Sequence, residues 1–516
     1  MKVAGGEVRL GLARLCAAIG RRGLFVGFEL AFAAAVLVSV LPLFATRYLP
    51  IQDLPQHVAA VRVLFDYRDP NLGFERFFER SFTSTQYLGV YLLSGALMPL
   101  LGAVVAVKVV LAASVAALPY ALRAVLRELH RPESYALLAV PLAYNAHLIL
   151  GFVNFLAALP LLFAGVALAL RLRRRFTHGC AWALGLVALA CFYTHVVPYG
   201  VLLAACCAVL LRRDLAEAAR SLVALAPSVA ASALWLGANP AGRALAALAV
   251  GAPETNAAVY LSAADALREL PEWFTDVFRS SDDERAWLVW ITTLVALYAV
   301  GAATPRILPV SVGAARRRLA WFVPALVGAY WVMPESYGFI WPIHGRFPLL
   351  AALFAIVIAP RVARPTRAGV VAVALLLSGW TSATAWRAFR GAARESDGLA
   401  VVLGRIPEGS RVAGLVYARS SSFVRYSPYL HAVAWVQAER GGAVQFTFAD
   451  FPHSPFRFRE SNRPPGVPPR WEWLPERVGP QRDLAWFEYV LTRGGPPLFG
   501  FRLVTQQGMW ALWRRD

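Results

Sequence analysis

Apolar residues fill long stretches of the chain, and the first of these, Leu24–Ala45, is long enough to cross a bilayer as a helix. Further runs follow at approximately 87–103, 105–122, 135–150, 152–170, 180–194, 196–211, 221–238, 286–303, 319–334, 347–360 and 368–386. Short arginine clusters lie between them. Translocated loops are poor in Lys and Arg, so Arg123–Arg131, Arg171–Arg175, Arg212–Arg220, Arg306–Arg318 and Arg361–Arg367 are expected on the cytoplasmic side. With 46–86 outside, Arg123 is cytoplasmic only if an odd number of spans precedes it. The run 87–103 is therefore expected to lie in the outer interface or to dip in and out, which leaves 11 spans. The loops 46–86, 239–285 and 335–346, and everything after Trp386, then fall on the outer side. Arg9, Arg14, Arg21 and Arg22 precede the first run, which is longer than a secretory h-region of roughly 7–15 residues. The expectation is an uncleaved span with a cytoplasmic N-terminus.

Beyond Trp386 the pattern changes. Residues 390–516 contain no run of spanning length and read as a small α/β domain. Arg411–Tyr417 predicts a strand after the turn Pro407-Glu408-Gly409, and a helix is expected near Pro428–Arg440. Val444–Phe448, Phe487–Leu491 and a hairpin at Gln506-Gln507-Gly508 predict further strands, and the Pro-rich stretch 460–483 an irregular loop. The fold class is thus a mainly α, polytopic helical membrane protein of about 11 spans plus one interfacial or re-entrant segment. A polytopic domain at 1–389 carries an amphipathic helix in its outer loop 46–86, and an extracytoplasmic α/β domain covers 390–516.

Composition agrees with lipid as the main solvent: 58% of residues are hydrophobic, 16% are charged, and mean hydropathy is +0.53. These values exclude a single soluble globule and a disordered chain. The formal charge of +20 would suggest nucleic acid in a soluble protein. Here the arginines punctuate apolar runs, so topology explains them and no nucleic-acid partner is expected. Cys16, Cys180, Cys191, Cys206 and Cys207 form no C-x-x-C pair, which excludes zinc ribbons and redox motifs. No G-x-x-x-x-G-K-[ST] run and no G-x-S-x-G elbow occurs, which argues against an ATP-driven pump and a serine hydrolase.

The first outer loop carries the strongest candidate chemistry. After Tyr48-Leu49-Pro50-Ile51-Gln52, Asp53 stands at the head of a helix in which Leu54, Val58, Val61 and Phe65 recur at helical spacing. Asp53 is either a plain N-cap or a carboxylate held at the water–lipid boundary, able to act as a general base. His57, one turn later, is placed to orient it or to help hold a metal or phosphate. Polar residues at membrane depth usually face a cavity, and Asn145, His147 and Asn154 flank one outer turn while His195 occupies the next. His344 and Arg346 stand just before the span beginning at Phe347. Arg346 suits a lipid phosphate, because guanidinium binds phosphate oxygens bidentately. Lys108, inside an apolar run, is a second candidate for that task. The histidine spacing is no metal signature, so neither metal nor cofactor is assigned. Asp282-Asp283-Glu284 reads as a solvated charged boundary.

A first span followed by an outer loop that opens with an acidic residue and runs into an interfacial helix resembles the GT-C class of membrane glycosyltransferases. That class includes protein mannosyltransferases, aminoarabinose transferases and oligosaccharyltransferase catalytic subunits. The likeness extends to the number of spans, the outer C-terminal domain and the segments Tyr144–Leu148 and Gly151–Phe155, which are similar to a stretch in bacterial members. The resemblance implies inverting sugar transfer from a polyprenyl-phosphate donor to an envelope glycan, lipid or protein acceptor. It puts Asp53 at the family's loop carboxylate and the protein in the inner (cytoplasmic) membrane. Most members carry two adjacent acidic residues there, whereas this chain has Asp53 alone. The competing readings are a lipid or polysaccharide transporter or flippase, and an envelope assembly protein. Transporters tend to show matching broken helices in two halves, and none is evident. In the tail, Phe446, Phe448, Phe451, Phe456, Phe458, Trp471 and Trp473, with Arg457, Arg459 and Arg470, either bind acceptor or form the small domain's core. A cavity joining Asp53 to Arg346 is the arrangement that the enzymatic reading requires.

Overall fold

The computed structural model describes residues 26–82, 85–239, 242–243, 246, 258–303, 310–338, 340–465 and 471–516. The N-terminal arginines, Cys16, Arg306 and Arg470 lie outside the described residues. Among those described, six helices are long and apolar enough to cross a membrane: Val26–Phe44, Ala103–Glu128, Val153–Arg174, Leu215–Ala238, Asp282–Ala302 and Arg364–Glu395. Five shorter apolar helices accompany them: Gly89–Leu101, Glu133–Ala143, His178–Phe192, Val196–Leu210 and His344–Ile358. Val310–Ala320 and Phe322–Val332 together supply the run expected at 319–334. The last long helix continues to Glu395, past the boundary expected at 389.

The stretch 87–103 forms the helix Gly89–Leu101 and does not cross. Its start is held by Leu88 and Gly89 amides donating to the Tyr193 carbonyl, and Gly102, at φ 72°, turns the chain into Ala103–Glu128. In that next helix Lys108 meets the Thr46 carbonyl at one face of the bundle. Arg123 meets Glu29 at the other face. One crossing therefore lies between Lys108 and Arg123, and both ends of Gly89–Leu101 stay on the Thr46 side.

The segments expected outside are joined to one another. Strand β1 (Phe78–Arg80) lies in the first loop, β2 (Ala258–Val259) in the second and β3 (Ser336–Tyr337) in the third. The C-terminal region adds β4 (Arg411–Val416), β5 (Ala443–Val444), β6 (Phe456–Phe458), β7 (Tyr489–Arg493), β8 (Phe501–Gln507) and β9 (Trp510–Arg515). β1 pairs antiparallel with β6, β2 with β3, and Phe278 bridges Val424. Arginines of the expected cytoplasmic clusters also meet across the opposite face: Arg171 and Arg174 on Glu128, Arg318 on the Leu211 carbonyl, and Arg361 on the His130 carbonyl.

The remaining five strands form one sheet in the order β5-β4-β7-β9-β8, parallel among the first three and antiparallel thereafter. Alternate residues of β4 face opposite ways. Ala413 and Leu415 enter a small core with Trp471, Phe487 and Val490, while Val412 and Val416 join the main core. Covered on both faces, β4 reads as a continuous apolar run rather than an alternating one. The helix Ala434–Arg440 packs along Leu54–Phe65. There Glu439 accepts hydrogen bonds from Arg47 Nε (3.0 Å) and the Tyr48 hydroxyl (2.9 Å). This docking seats the C-terminal region against the loop that carries Asp53.

Candidate active site

The chain enters the helix Leu54–Phe65 with its backbone tied to the next outer turn: Gln52 N donates to Ile149 O (2.9 Å) and Asp53 N to Leu150 O (3.2 Å). Gly151, at φ 87°, lies flat against Asp53; a Cβ there would stand 2.7 Å from the Asp53 nitrogen and 2.8 Å from its Cβ. Glycine is required twice over, by conformation and by this approach. Asp53 occupies the N-cap position, yet its side chain makes no capping bond. Its Oδ1 instead lies 2.6 Å from Nδ1 of His431, 378 residues away.

The His57 amide donates to the Asp53 carbonyl (3.1 Å) within the helix, but its imidazole bonds elsewhere. Its ring spans from the Gly151 carbonyl (Nε2, 2.8 Å) to the Tyr91 hydroxyl (Nδ1, 3.1 Å), and the Asn154 side chain bonds the same hydroxyl. Burial holds the His57 imidazole below its usual range, an effect that the Asp53 charge opposes.

These groups line one cavity of about 330 Å³, which continues past His195 to Arg346. Arg346 is 7% exposed. Its guanidinium sits 5.7 Å from the Phe152 ring centroid; among the described residues it makes no ion pair, and its Nε has no hydrogen-bond partner. A buried cation without a counter-charge is costly. His453, from the C-terminal region, lines the same space and is pushed down to about 4, first by burial and then by the Arg346 charge. His195 caps its helix by accepting from Val197 N (3.1 Å), so Nδ1 is unprotonated and the ring proton lies on Nε2. Away from these polar groups the lining turns apolar, with Trp235, Met333, Ile340 and Trp341.

Of the residues singled out in the sequence, Asp53, His57, Asn154, His195 and Arg346 come together in this cavity. Lys108, Asn145, His147 and His344 lie outside its lining, each for a local reason. The Lys108 ammonium is taken up by the Thr46 carbonyl. Asn145 caps Ala146–Leu150, accepting from Leu148 N at 3.2 Å and donating to Leu142 O at 2.8 Å. His147 is packed between Phe155 and Trp273, and His344 rests on Trp273 and Tyr330 with Nε2 3.7 Å from Glu269. Asp283 is buried, not solvated, and its Oδ2 accepts from the Val277 and Phe278 amides at 2.8 Å each. Among the described residues no three His, Cys, Asp or Glu side chains gather as a metal-holding group.

Sequence reasoning missed His431, His453, Tyr87 and Tyr91. Aromatic density did flag the loop 446–458, whose members divide between two tasks. Phe448 and Phe451 line the cavity, whereas Phe456 and Phe458 pack on Phe78 and Trp471 fills the small core. Arg457 and Arg459 bond the Pro452 and Glu75 carbonyls. No sequence signal distinguishes His431 from the apolar residues around it.

No protein-family profile matches the chain, and no curated protein matches its sequence. Among solved structures it is similar to the apo crystal structure of ArnT from Cupriavidus metallidurans, with a TM-score of 0.55 at 11% identity, over 96% of this chain and 98% of that one. At that identity the likeness is one of fold: this chain shares with that structure a polytopic, mainly helical fold that ends in a small C-terminal sheet domain.

Proposed function

We propose that the protein is an inverting glycosyltransferase that moves a sugar from a polyprenyl-phosphate donor to an acceptor on the outer side of the cytoplasmic membrane. The observation that carries this reading is the single cavity holding an uncapped carboxylate, Asp53, and an unpaired buried guanidinium, Arg346. Asp53 takes the proton of an acceptor hydroxyl as its oxygen attacks the anomeric carbon. The bond from that carbon to the phosphate oxygen breaks, and the leaving phosphate gains negative charge beside Arg346, where fixed positive charge is most effective. Trp235, Met333, Ile340 and Trp341 offer the lipid an apolar path, with Met333 and Trp341 exposed at its margin. The arginine-rich face is cytoplasmic and the cavity side extracytoplasmic. The ArnT-like fold supports sugar transfer from a lipid carrier.

The test is complementation. Deletion of the gene is expected to remove a glycan modification of the envelope, and the wild-type protein to restore it. Asp53→Asn is expected to be present in membranes at normal level with transfer reduced about 10²–10⁴-fold. Full restoration by Asp53→Asn, or a deletion strain with an unchanged envelope, would overturn the reading.

A further inference from the structure

We infer that His431 is a positioning residue for Asp53, so that the C-terminal domain completes the active site. The inference rests on the reading of Asp53 as general base. Five observations support this assignment. Nδ1 stands 2.6 Å from Asp53 Oδ1, the short separation of a charge-assisted bond. The Asp53 side chain makes no capping bond to its own helix, so the imidazole is the partner that orients the carboxylate. The His431 ring lies against Phe446, with centroids 4.8 Å apart and planes at 31°. Phe446 itself has φ 48°, a left-handed conformation that a bulky residue rarely adopts. Its carbonyl accepts from Gln56 Nε2 at 2.8 Å, and Gln56 sits on the helix that Asp53 begins.

The two contacts close a ring of restraints. Asp53 and Gln56 project from the first turn of one helix; His431 and Phe446 come from the C-terminal domain and stack on each other. A strained backbone persists where its surroundings over-determine it, and such places cluster at functional sites. The bond has a defined chemical consequence. With Nδ1–H donating to Oδ1, proton transfer falls to Oδ2, and the hydrogen bond stays in place as the carboxylate becomes a carboxylic acid. A base that need not reorient during transfer keeps the geometry on which its efficiency depends. A simple strut between domains would need none of this, because Arg47, Tyr48 and Glu439 already fasten the same two elements.

The experiment uses the full-length protein in lipid nanodiscs, with the polyprenyl-phosphate-sugar fraction extracted from the native membranes as donor and released polyprenyl phosphate as readout. Three variants are compared for turnover, apparent KM and Tm. Asn presents an amide nitrogen near the position of Nδ1, Gln presents one near Nε2, and Leu presents neither. His431→Leu is expected to lose about 10–10²-fold in turnover with apparent KM within about threefold of wild type. His431→Asn is expected to recover most of that loss, and His431→Gln little of it. Equal turnover in the Asn and Gln variants would overturn the proposal, and so would full turnover in His431→Leu. If His431→Leu fails to fold, the Asn and Gln pair still decides. Asp53→Asn, run in parallel, separates the two readings. Full turnover there removes the general base itself, whereas an inactive Asp53→Asn beside a fully active His431→Leu removes the positioning role alone.

Discussion

On the face that carries the arginine clusters, Arg123 is held by Glu29 at 2.5 Å and Glu133 at 2.6 Å, and Glu128 serves both Arg171 at 2.7 Å and Arg174 at 3.1 Å. Arg212 meets Glu217, and Arg173 donates to the Val209 carbonyl. On the opposite side Arg346 is more deeply buried than any of these, makes no ion pair with a carboxylate among the described residues, and shares its cavity with three imidazoles and two tyrosines. The same side chain thus serves two ends. Where arginine is paired it clamps helix ends to one another. Where it is desolvated and left unpaired, the missing counter-charge is what a ligand brings. A buried charge that is satisfied speaks of architecture, and one that is not speaks of function.

Removing Arg346 is the sharpest way to break this contrast. Arg346→Met is expected to lower donor turnover about 10²–10³-fold, the usual cost of losing one stabilising donor to a developing oxyanion. Stability should stay level or rise, because an uncompensated charge has left the interior. A fall in Tm with unchanged turnover would make Arg346 an ordinary structural arginine. The carboxylate end can be probed through its neighbour. Gly151→Ala forces a Cβ to within 2.7 Å of the Asp53 nitrogen at a φ that alanine avoids. It is expected to cost more than ~1 kcal/mol and to reduce turnover about tenfold as the carboxylate is displaced. Wild-type turnover in Gly151→Ala would show that the close approach does not matter to Asp53.

Glu128→Gln supplies the opposite outcome on the paired face. It should cost about 1 kcal/mol, because Arg171 is half exposed and its pair is screened, and turnover should remain within about twofold. Lost turnover at unchanged Tm would mean that the two faces are coupled. The smallest effect concerns the imidazoles beside the cavity. Burial lowers both His57 and His453, the latter to about 4, so each prefers to be neutral in the folded state. The unfolded chain binds protons first, below its ordinary value of about 6.5. Stability is therefore complete above about pH 6.5 and declines as pH falls toward about 4. Melting curves between pH 5 and 7.5 should show this slope, and His453→Gln should flatten it. An unchanged slope would mean that His453 is solvated.

Much of the membrane architecture was legible in the linear pattern, because a span must be apolar over its whole length and its flanking charges record which side they stay on. The alternation of Arg clusters led to a non-crossing 87–103, and Gly102 turns that helix back at the side where it began. Asp53 was legible as a candidate, since a carboxylate at the head of an interfacial helix stands out against apolar surroundings. Its two possible tasks were not separable there, because N-capping and proton transfer require the same residue at the same position.

The tertiary structure leaves the Asp53 side chain without a capping bond and places His431 on it from 378 positions away. The same holds for Lys108 and Arg346, each a cation near an apolar run. One finds the Thr46 carbonyl and the other makes no ion pair among the described residues, and that difference depends on what neighbouring helices bring. Loop 446–458 shows the same division, with identical phenylalanines going to the cavity or to the core according to which face of the docked domain they occupy. Hydropathy and charge act locally along the chain, so the sequence by itself determined the helical bundle, an expected sidedness and a short set of candidates. Partnership between buried polar groups is a matter of distances across the fold, and there packing alone decided which candidates share a site.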